Sequence, residues 1–318
     1  MVKQIGMNSN KLVVTICVVL LILFMGCSNM SKGENSLSEY NLKGKVKSLK
    51  ATSFSVKEKF GEISKGLPNY SINSEFNEDG NITSQTVFFS GEISSKEITE
   101  YNVNGNKIKN IRYDSKGNIS KITEWNEFGD ITMTEKFKSD GTITKTTKKY
   151  NYNKDGYKIN CKNYDHNGEL WLESKYIYNE NLEIIKIVGY SEDVLVKEEI
   201  YEYDNDGNNI KYTLSYGDNI AEQRTFEYKN GHIVKSHNIE YDDDGNIDSE
   251  HSSETEYDEN GNEIMQKSNT TSGMSISSHD SYSYEEFDSY NNWIKKIKHP
   301  YNSEKVIGIT EREIQYYK

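Results

Sequence analysis

The sequence predicts an all-β protein: a repetitive antiparallel β-hairpin meander that forms a long twisted or curled open sheet, preceded by a signal-peptide helix. A turn signature built on Asp or Asn and Gly recurs along most of the chain, and several segments between turns alternate polar with apolar residues. No apolar stripe with the 3.6-residue period of a helix appears among them. Only 34% of residues are hydrophobic, against about 45–50% including Gly in an ordinary globular domain, so we expect no thick core.

The N-terminus has the composition of a signal peptide. Lys3 and Lys11 precede an apolar run from Leu12 to Phe24, and no acidic residue occurs before Cys27. A positive segment followed by a short apolar run is typical of export signals, and this run is shorter than the roughly 20 residues of a membrane-spanning helix. We therefore predict a signal peptide over residues 1–26.

The segment Leu23-Phe24-Met25-Gly26-Cys27 resembles the lipobox of bacterial lipoproteins, although Phe24 stands where that motif has an aliphatic residue. The resemblance implies cleavage before Cys27 and its diacylation, and each buried methylene of the acyl chains contributes about 0.8 kcal/mol to membrane binding. Residues 27–40, rich in Ser, Asn, Lys and Gly, are expected to form a flexible tether. The expected location is the bacterial cell envelope, at the outer membrane or cell surface. An ordinary secreted protein or an uncleaved anchor remain alternatives.

Residues 41–318 contain one unit many times: an aromatic residue, Asp or Asn, two variable residues and Gly, often followed by Ile or Leu. The glycines at 105, 117, 129 and 141 are 12 residues apart. The copies are Phe76–Ile82, Tyr101–Gly105, Tyr113–Ile119, Trp125–Ile131, Phe137–Ile143, Tyr152–Gly156, Tyr164–Leu170, Tyr203–Gly207, Tyr241–Ile247 and Tyr257–Gly261.

Each unit predicts a hairpin turn. The Asp or Asn side chain bonds to the backbone just ahead, and Gly adopts the left-handed conformation that closes a three- to five-residue loop. A spacing of 12 residues leaves strands of about seven or eight residues, near the usual length. Residues 41–60 and 300–318, which lack the unit, are expected to cap the two ends of the array.

The Tyr-Asp-x-x-Gly-Asn units resemble the YD repeats of the bacterial RHS family. They are clearest at Tyr113–Asn118, Tyr203–Asn208, Tyr241–Asn246 and Tyr257–Asn262. An opening segment, Leu42–Ser48, and a late one, Phe287–Lys296, make the plan similar to surface lipoproteins with RHS-like repeats. The resemblance implies spirals of β-strands and a cell-wall-associated or sugar-binding role. The chain has too few repeats to enclose a toxin, as the largest members do.

Charge and cysteine content exclude some functions. The net charge of −12 becomes −14 without residues 1–26, since two lysines and no acid leave with them. Phosphate binding needs clustered Lys and Arg, so we expect no nucleic-acid partner. If Cys17 leaves with the signal and Cys27 is acylated, Cys161 has no disulfide partner.

No arrangement of residues predicts a catalytic site, a metal site or a cofactor. Asp204–Gly207 and Asp242–Gly245 offer oxygen ligands, but Thr213 and His251 stand where a calcium loop needs Glu. Cys161 lies near Asp165 and His166 in sequence only, and a catalytic base is positioned by the fold. Acidic residues are abundant enough to supply the two carboxylates of a glycosidase. However, nearly all of these acidic residues are explained by positions in turns or on the surface.

Trp171, Trp125 and Trp293 are the candidate ligand-binding residues, because flat aromatic faces suit sugar rings. Trp171, outside the repeat's aromatic position, is the least constrained of them. The alternative is cross-strand packing. The sequence predicts a non-enzymatic, lipid-anchored envelope protein whose repeat sheet binds or scaffolds an extracellular partner, with protein favoured over polysaccharide. The competing class is a carbohydrate-binding or glycosidase-like surface protein, which would show a concave cluster of carboxylates with perturbed pKa values.

Overall fold

The computed structural model describes residues 35–318, so the predicted signal peptide and Cys27 lie outside the described residues. One short helix, α1 (Ser36–Glu39), precedes the strands. The strands are β1 (Val46–Lys59), β2 (Glu62–Phe76), β3 (Ile82–Phe89), β4 (Glu92–Tyr101), β5 (Lys107–Tyr113), β6 (Ile119–Trp125), β7 (Ile131–Phe137), β8 (Ile143–Tyr152), β9 (Lys158–Tyr164), β10 (Leu170–Tyr178), β11 (Ile184–Ser191), β12 (Val194–Tyr203), β13 (Asn209–Tyr216), β14 (Asn219–Lys229), β15 (His232–Tyr241), β16 (Ile247–Tyr257), β17 (Glu263–Ser272), β18 (Met274–Phe287), β19 (Trp293–Pro300) and β20 (Gly308–Tyr316).

The 20 strands form one closed antiparallel barrel. Each strand pairs with the next along the chain, and β1 also pairs with β20, where Ser53 lies opposite Thr310 and their hydroxyl oxygens are 2.9 Å apart. The antiparallel meander is present, but the predicted open sheet is wrong. Residues 41–60 and 300–318, expected to be separate end caps, contain the two strands that pair with each other and close the ring.

The barrel is wide and hollow. Twenty strands spaced about 4.8 Å apart and tilted by about 40° enclose a lumen roughly 35–40 Å across between backbones. Most inner-wall side chains keep partial solvent exposure, whereas facing sheets of a sandwich would bury them. No helix in this part of the chain is long and apolar enough to cross a bilayer.

The repeated turn is a five-residue loop held by its first side chain. In the turn 114–118, Oδ1 of Asp114 accepts hydrogen bonds from the backbone N–H groups of Lys116 and Asn118, both at 2.9 Å. The carbonyl of Asn118 accepts from the Asp114 N–H, and Gly117 takes a φ of +83°. The bond from the fifth residue's N–H to the first side chain recurs in the turns 77–81, 102–106, 126–130, 153–157, 165–169, 179–183, 204–208, 242–246, 258–262 and 288–292.

Side chains alternate between an inner and an outer wall. Following partners around the ring places Leu49, Ser74, Gln85 and Arg312 on the same face. From β1 to β8, successive partners on that face move away from the end of the barrel at which β1 begins. In a barrel of right-twisted strands, a shift in this direction identifies the concave side. We call that face the inner wall.

The two rims of the barrel differ in what covers them. Turns that follow even-numbered strands form the even rim, and turns that follow odd-numbered strands form the odd rim. Residues 35–45, the cap segment, lie along the even rim on both sides of the β1–β20 junction. Its Leu37 and Leu42 pack with Val46, Leu49 and Phe76 into a small buried cluster, so this part of the wall is covered from the inside.

Candidate functional site

The inner wall carries a series of tyrosines at mid-strand positions. All are half-buried, and burial raises the pKa of Tyr70 to about 12. Burial also raises the pKa values of Tyr150, Tyr176, Tyr212, Tyr282 and Tyr284. Their hydroxyls therefore stay protonated and can donate hydrogen bonds. The series comprises Tyr70, Tyr150, Tyr176, Tyr201, Tyr212, Tyr282 and Tyr284.

All three arginines of the chain lie on the inner wall, although lysines are common on both walls. Arg112 on β5 donates from Nε to Glu97 at 2.6 Å, and Arg224 on β14 donates from Nε to Glu222 at 2.6 Å. Arg312 on β20 has no carboxylate partner among residues 35–318 and lies over the ring of Trp293, with its guanidinium carbon 3.5 Å from the ring centroid. Because a guanidinium presents several donors in a fixed plane, these three positions are suited to directional contacts.

The best-formed open cluster lies on β12–β14. The Arg224 guanidinium lies 5.6 Å from the ring centroid of Tyr212, which is 5.2 Å from that of Tyr201. The Tyr201 hydroxyl donates to Glu199 at 2.6 Å. Aromatic faces beside paired charges can contact an amphipathic partner by stacking and by hydrogen bonds.

A second cluster surrounds Lys158. Its ammonium group is 2.6 Å from Asp130 and lies 5.4 Å from the ring centroid of Tyr176. Cys161 is buried beside these groups, and burial raises the pKa of its thiol. A protonated, enclosed thiol is a poor nucleophile, and the structure places Cys161 on β9, away from the turn 165–169 that contains Asp165 and His166.

The third cluster is covered by the cap segment. The Arg312 guanidinium donates from Nη2 to the Tyr40 carbonyl at 3.1 Å, while Lys296 lies 4.4 Å from the ring centroid of Tyr282. Burial lowers the pKa of Arg312 to about 10 and also lowers that of Lys296. Burial raises the pKa of the Glu263 carboxyl beside them. This cluster stabilises the covered wall and is closed to a large ligand.

The turn aspartates behave differently from Glu263. Hydrogen bonds from the turn backbone and side chains lower the pKa values of Asp114, Asp165, Asp204 and Asp242. Within residues 35–318, no three His, Cys, Asp or Glu side chains converge where a metal ion could bind. The Asp-rich turns 204–208 and 242–246 use their first carboxylates to hold their own backbone.

The structure does not bring the three predicted tryptophans together. Trp125 ends β6, Trp171 lies near the start of β10 with 49% of its surface exposed, and Trp293 begins β19 with only 7% exposed. Arg312 covers a face of Trp293.

Sequence reasoning missed the inner-wall arginines. Their rarity beside so many lysines was the available signal, but which face each occupies depends on the register of the closed ring.

No family model matches the chain, and no curated protein matches it. Solved structures similar to the chain include a porin-like protein from Bacteroides uniformis, with 12% identity, a TM-score of 0.34, and coverage of 75% of this chain and 99% of that one. A porin-like protein from Bacteroides vulgatus has 10% identity, a TM-score of 0.31, and coverage of 86% and 99%. The Tc holotoxin pore of Photorhabdus luminescens has 10% identity and a TM-score of 0.31, and the match covers 77% of this chain and 18% of that one. The open-sheet repeat architecture inferred from the YD-like units is overturned by the closed ring.

Proposed function

We propose that this chain is a non-enzymatic protein of the bacterial cell envelope, tethered through a lipid on Cys27, whose barrel holds an extracellular protein partner in its lumen. The observation that carries the proposal is the difference between the two walls. The inner wall has all three arginines, two of them paired with glutamates, and the tyrosine series. The outer wall has Lys–Glu pairs interspersed with aliphatic side chains such as Ile98, Ile111 and Ile122, and it has no arginine.

The outer wall carries many exposed charged groups. Cross-strand pairs lie along it, such as Lys186 with Glu198 at 2.6 Å and Lys211 with Glu202 at 2.7 Å. Further outer pairs are Lys50–Glu313, Lys109–Glu124, Lys145–Glu135, Lys162–Glu173 and Lys235–Glu227. A wall embedded in lipid has an outward apolar band about 25 Å tall, and a Lys at its midplane costs about 2–4 kcal/mol. The barrel therefore stands beside the membrane in this proposal, held there by the acyl chains.

The lumen has the width and chemistry for a macromolecular partner. A backbone diameter of roughly 35–40 Å leaves room, after side chains, for an extended chain or a small folded element. Tyrosine and arginine are the residue types that dominate binding energy at protein interfaces. The Arg224 cluster on the uncovered wall presents both, which favours a protein over a polysaccharide.

The competing class, a glycosidase-like protein, would need an accessible pair of acids. Glu263 has the raised pKa of a general acid, and Asp280 lies close enough to influence it. However, Oε1 of Glu263 is enclosed, and Asp280 is buried and paired with Lys298 at 2.8 Å. A sugar chain would have to displace the covering side chains to reach either acid, so this pair supports a structural role.

The test compares adjacent positions on opposite walls of β13. A photo-cross-linking residue replaces Tyr212 on the inner wall or Thr213 on the outer wall of the full-length protein in its native cells. We expect one defined envelope protein to cross-link from position 212 and not from position 213, and the Arg224→Gln substitution to weaken that product. Equal cross-linking from both positions would contradict lumen binding. Loss of the cross-linked product when purified envelope polysaccharide is added before irradiation would favour the sugar-binding alternative.

A further inference from the structure

We infer that the even rim of the barrel faces the membrane and that the odd rim opens away from it. This orientation rests on the proposed lipid at Cys27. It follows from where the cap segment leaves the barrel.

The cap segment is fixed to the even rim at three turns. The Asn35 side chain donates to the Asp79 carbonyl at 2.8 Å, in the turn after β2. Asn41 donates to the Asn260 carbonyl at 3.0 Å, in the turn after β16. Lys43 exchanges two backbone bonds with the Asn292 side chain, at 2.7 and 2.9 Å, in the turn after β18. The chain therefore enters the described structure at the even rim, beside Asn35.

Chain length then limits the distance between this rim and the lipid. Eight residue steps separate Cys27 from Asn35, and a chain spans at most about 3.6 Å per residue. The even rim therefore lies within roughly 30 Å of an acylated Cys27. The odd rim is farther by the height of the wall. For the seven residues of β5, a rise of about 3.3 Å per residue and a tilt of about 40° give about 20 Å.

Exposed apolar side chains occur at both rims: Val103, Phe128 and Leu182 at the even rim, and Phe60 and Met274 at the odd rim. The orientation therefore rests on the position of the cap segment. The long β1–β2 hairpin, with Phe60 at its tip, lies on the odd rim and would extend away from the membrane.

A fluorescence experiment tests the orientation with two matched positions. Asn104→Cys and Lys116→Cys, each with Cys161→Ser, place a donor dye at the third residue of consecutive turns at opposite ends of β5. The native acylated protein is reconstituted into phosphatidylcholine vesicles that carry an acceptor on some headgroups. We expect roughly twofold or more energy transfer from position 104 relative to position 116, because the second position is about 20 Å farther away.

The outcomes separate the orientation from the anchor. Cys27→Ala should abolish vesicle binding. A Cys27→Ala protein that still binds, or a native protein without acyl chains, would overturn the proposed anchor itself. If the native protein is acylated and bound, equal transfer from the two positions would show a barrel lying on its side, and greater transfer from position 116 would show the reverse orientation. Either result would overturn this inference while leaving the anchor intact.

Discussion

Two regions of the barrel are built from the same hairpins with the same turns. Strands β16–β20 and β1–β3 hold most of the contacts with the cap segment, and strands β4–β15 hold few of them. They differ in burial. Nine of the twelve buried hydrophobic residues belong to the first region, including the cap segment itself, and three to the second: Cys161, Leu172 and Val188. We call the first region the capped arc and the second the open arc.

The difference shows that the hairpin repeat supplies strand pairing but little core. In the open arc, inner-wall side chains contact their neighbours on adjacent strands and are half-buried at most positions. In the capped arc, the eleven residues of the cap segment are enough to cover Leu49 and Arg312, and Arg312 in turn covers Trp293. Stability should therefore be concentrated where the ring closes, and binding capacity where the wall stays open.

The largest effect is expected from a cavity in the capped arc. Leu49 is 1% exposed within the cluster under the cap segment, and a Leu→Ala change at a fully buried site costs about 2–5 kcal/mol. Leu49→Ala should lower the free energy of unfolding by that amount in urea denaturation. The control is Leu195→Ala on the open arc, where the side chain is 45% exposed. Equal losses from the two variants would contradict the contrast between the arcs.

A second prediction compares the same turn position in the two arcs. Asn292 and Asn118 are the fifth residues of equivalent turns, but Asn292 is 1% exposed and also bonds both backbone groups of Lys43. Removing a side chain that leaves buried partners unsatisfied costs about 1–3 kcal/mol, so Asn292→Ala should destabilise the protein by that amount. It should also speed hydrogen exchange in residues 40–45.

Asn118→Ala is the control for that comparison. Its amide bonds only to Asp114 in its own exposed turn, so the substitution should change stability by less than about 0.5 kcal/mol. Fast exchange of residues 40–45 in the native protein would show that the cap segment is not held by Asn292.

The repeat was predictable from sequence because its signals are local. Asp114, Gly117 and their counterparts specify the turn through bonds within five residues. The segment Ile131–Phe137, whose sequence alternates, is strand β7, although its residues are almost uniformly half-buried. Closure was not predictable in this way. The pairing of β1 with β20 joins residues about 260 positions apart, and neither strand has a local feature that distinguishes a closed edge from a free one.

The candidate site had the same limitation. Tyr212 and Arg224 have ordinary sequence surroundings, and their stacking results from the register between β13 and β14. Trp125, Trp171 and Trp293 were selected by residue type, and their separation around the ring could not be inferred from type alone.

Acid should act on the turns of the open arc and on the turn that joins it to the capped arc, with a smaller effect than the core substitutions. The aspartates at 114, 165, 204 and 242, all in turns, have pKa values lowered below 3.8 by bonds to their charged forms. Groups with a depressed pKa stabilise the folded state above their unfolded pKa, and that contribution is lost as pH falls through the folded value. Replacing all four with Asn, which occupies the same position in the turns 102–106 and 126–130, should leave stability at pH 7 nearly unchanged.

The measurement is the urea midpoint of the fourfold variant and the native protein at pH 7 and at pH 3. The native protein should lose more stability between the two pH values than the variant. Identical pH dependence would show that the carboxylate charge does not contribute to the turns.

The smallest effects are expected on the outer wall, where the two arcs should not differ. Lys50–Glu313 lies beside the closing junction and Lys211–Glu202 lies on the open arc, with nitrogen–oxygen distances of 2.6 and 2.7 Å. Both pairs are well exposed, and exposed pairs contribute about 0–1 kcal/mol, less as salt screens them. Lys50→Gln and Lys211→Gln should each shift the urea midpoint little, and equally, at low and at physiological salt. A loss at Lys50 comparable to that at Leu49 would show that charge pairing, and not the apolar contacts of the cap segment, holds the junction between β1 and β20 closed.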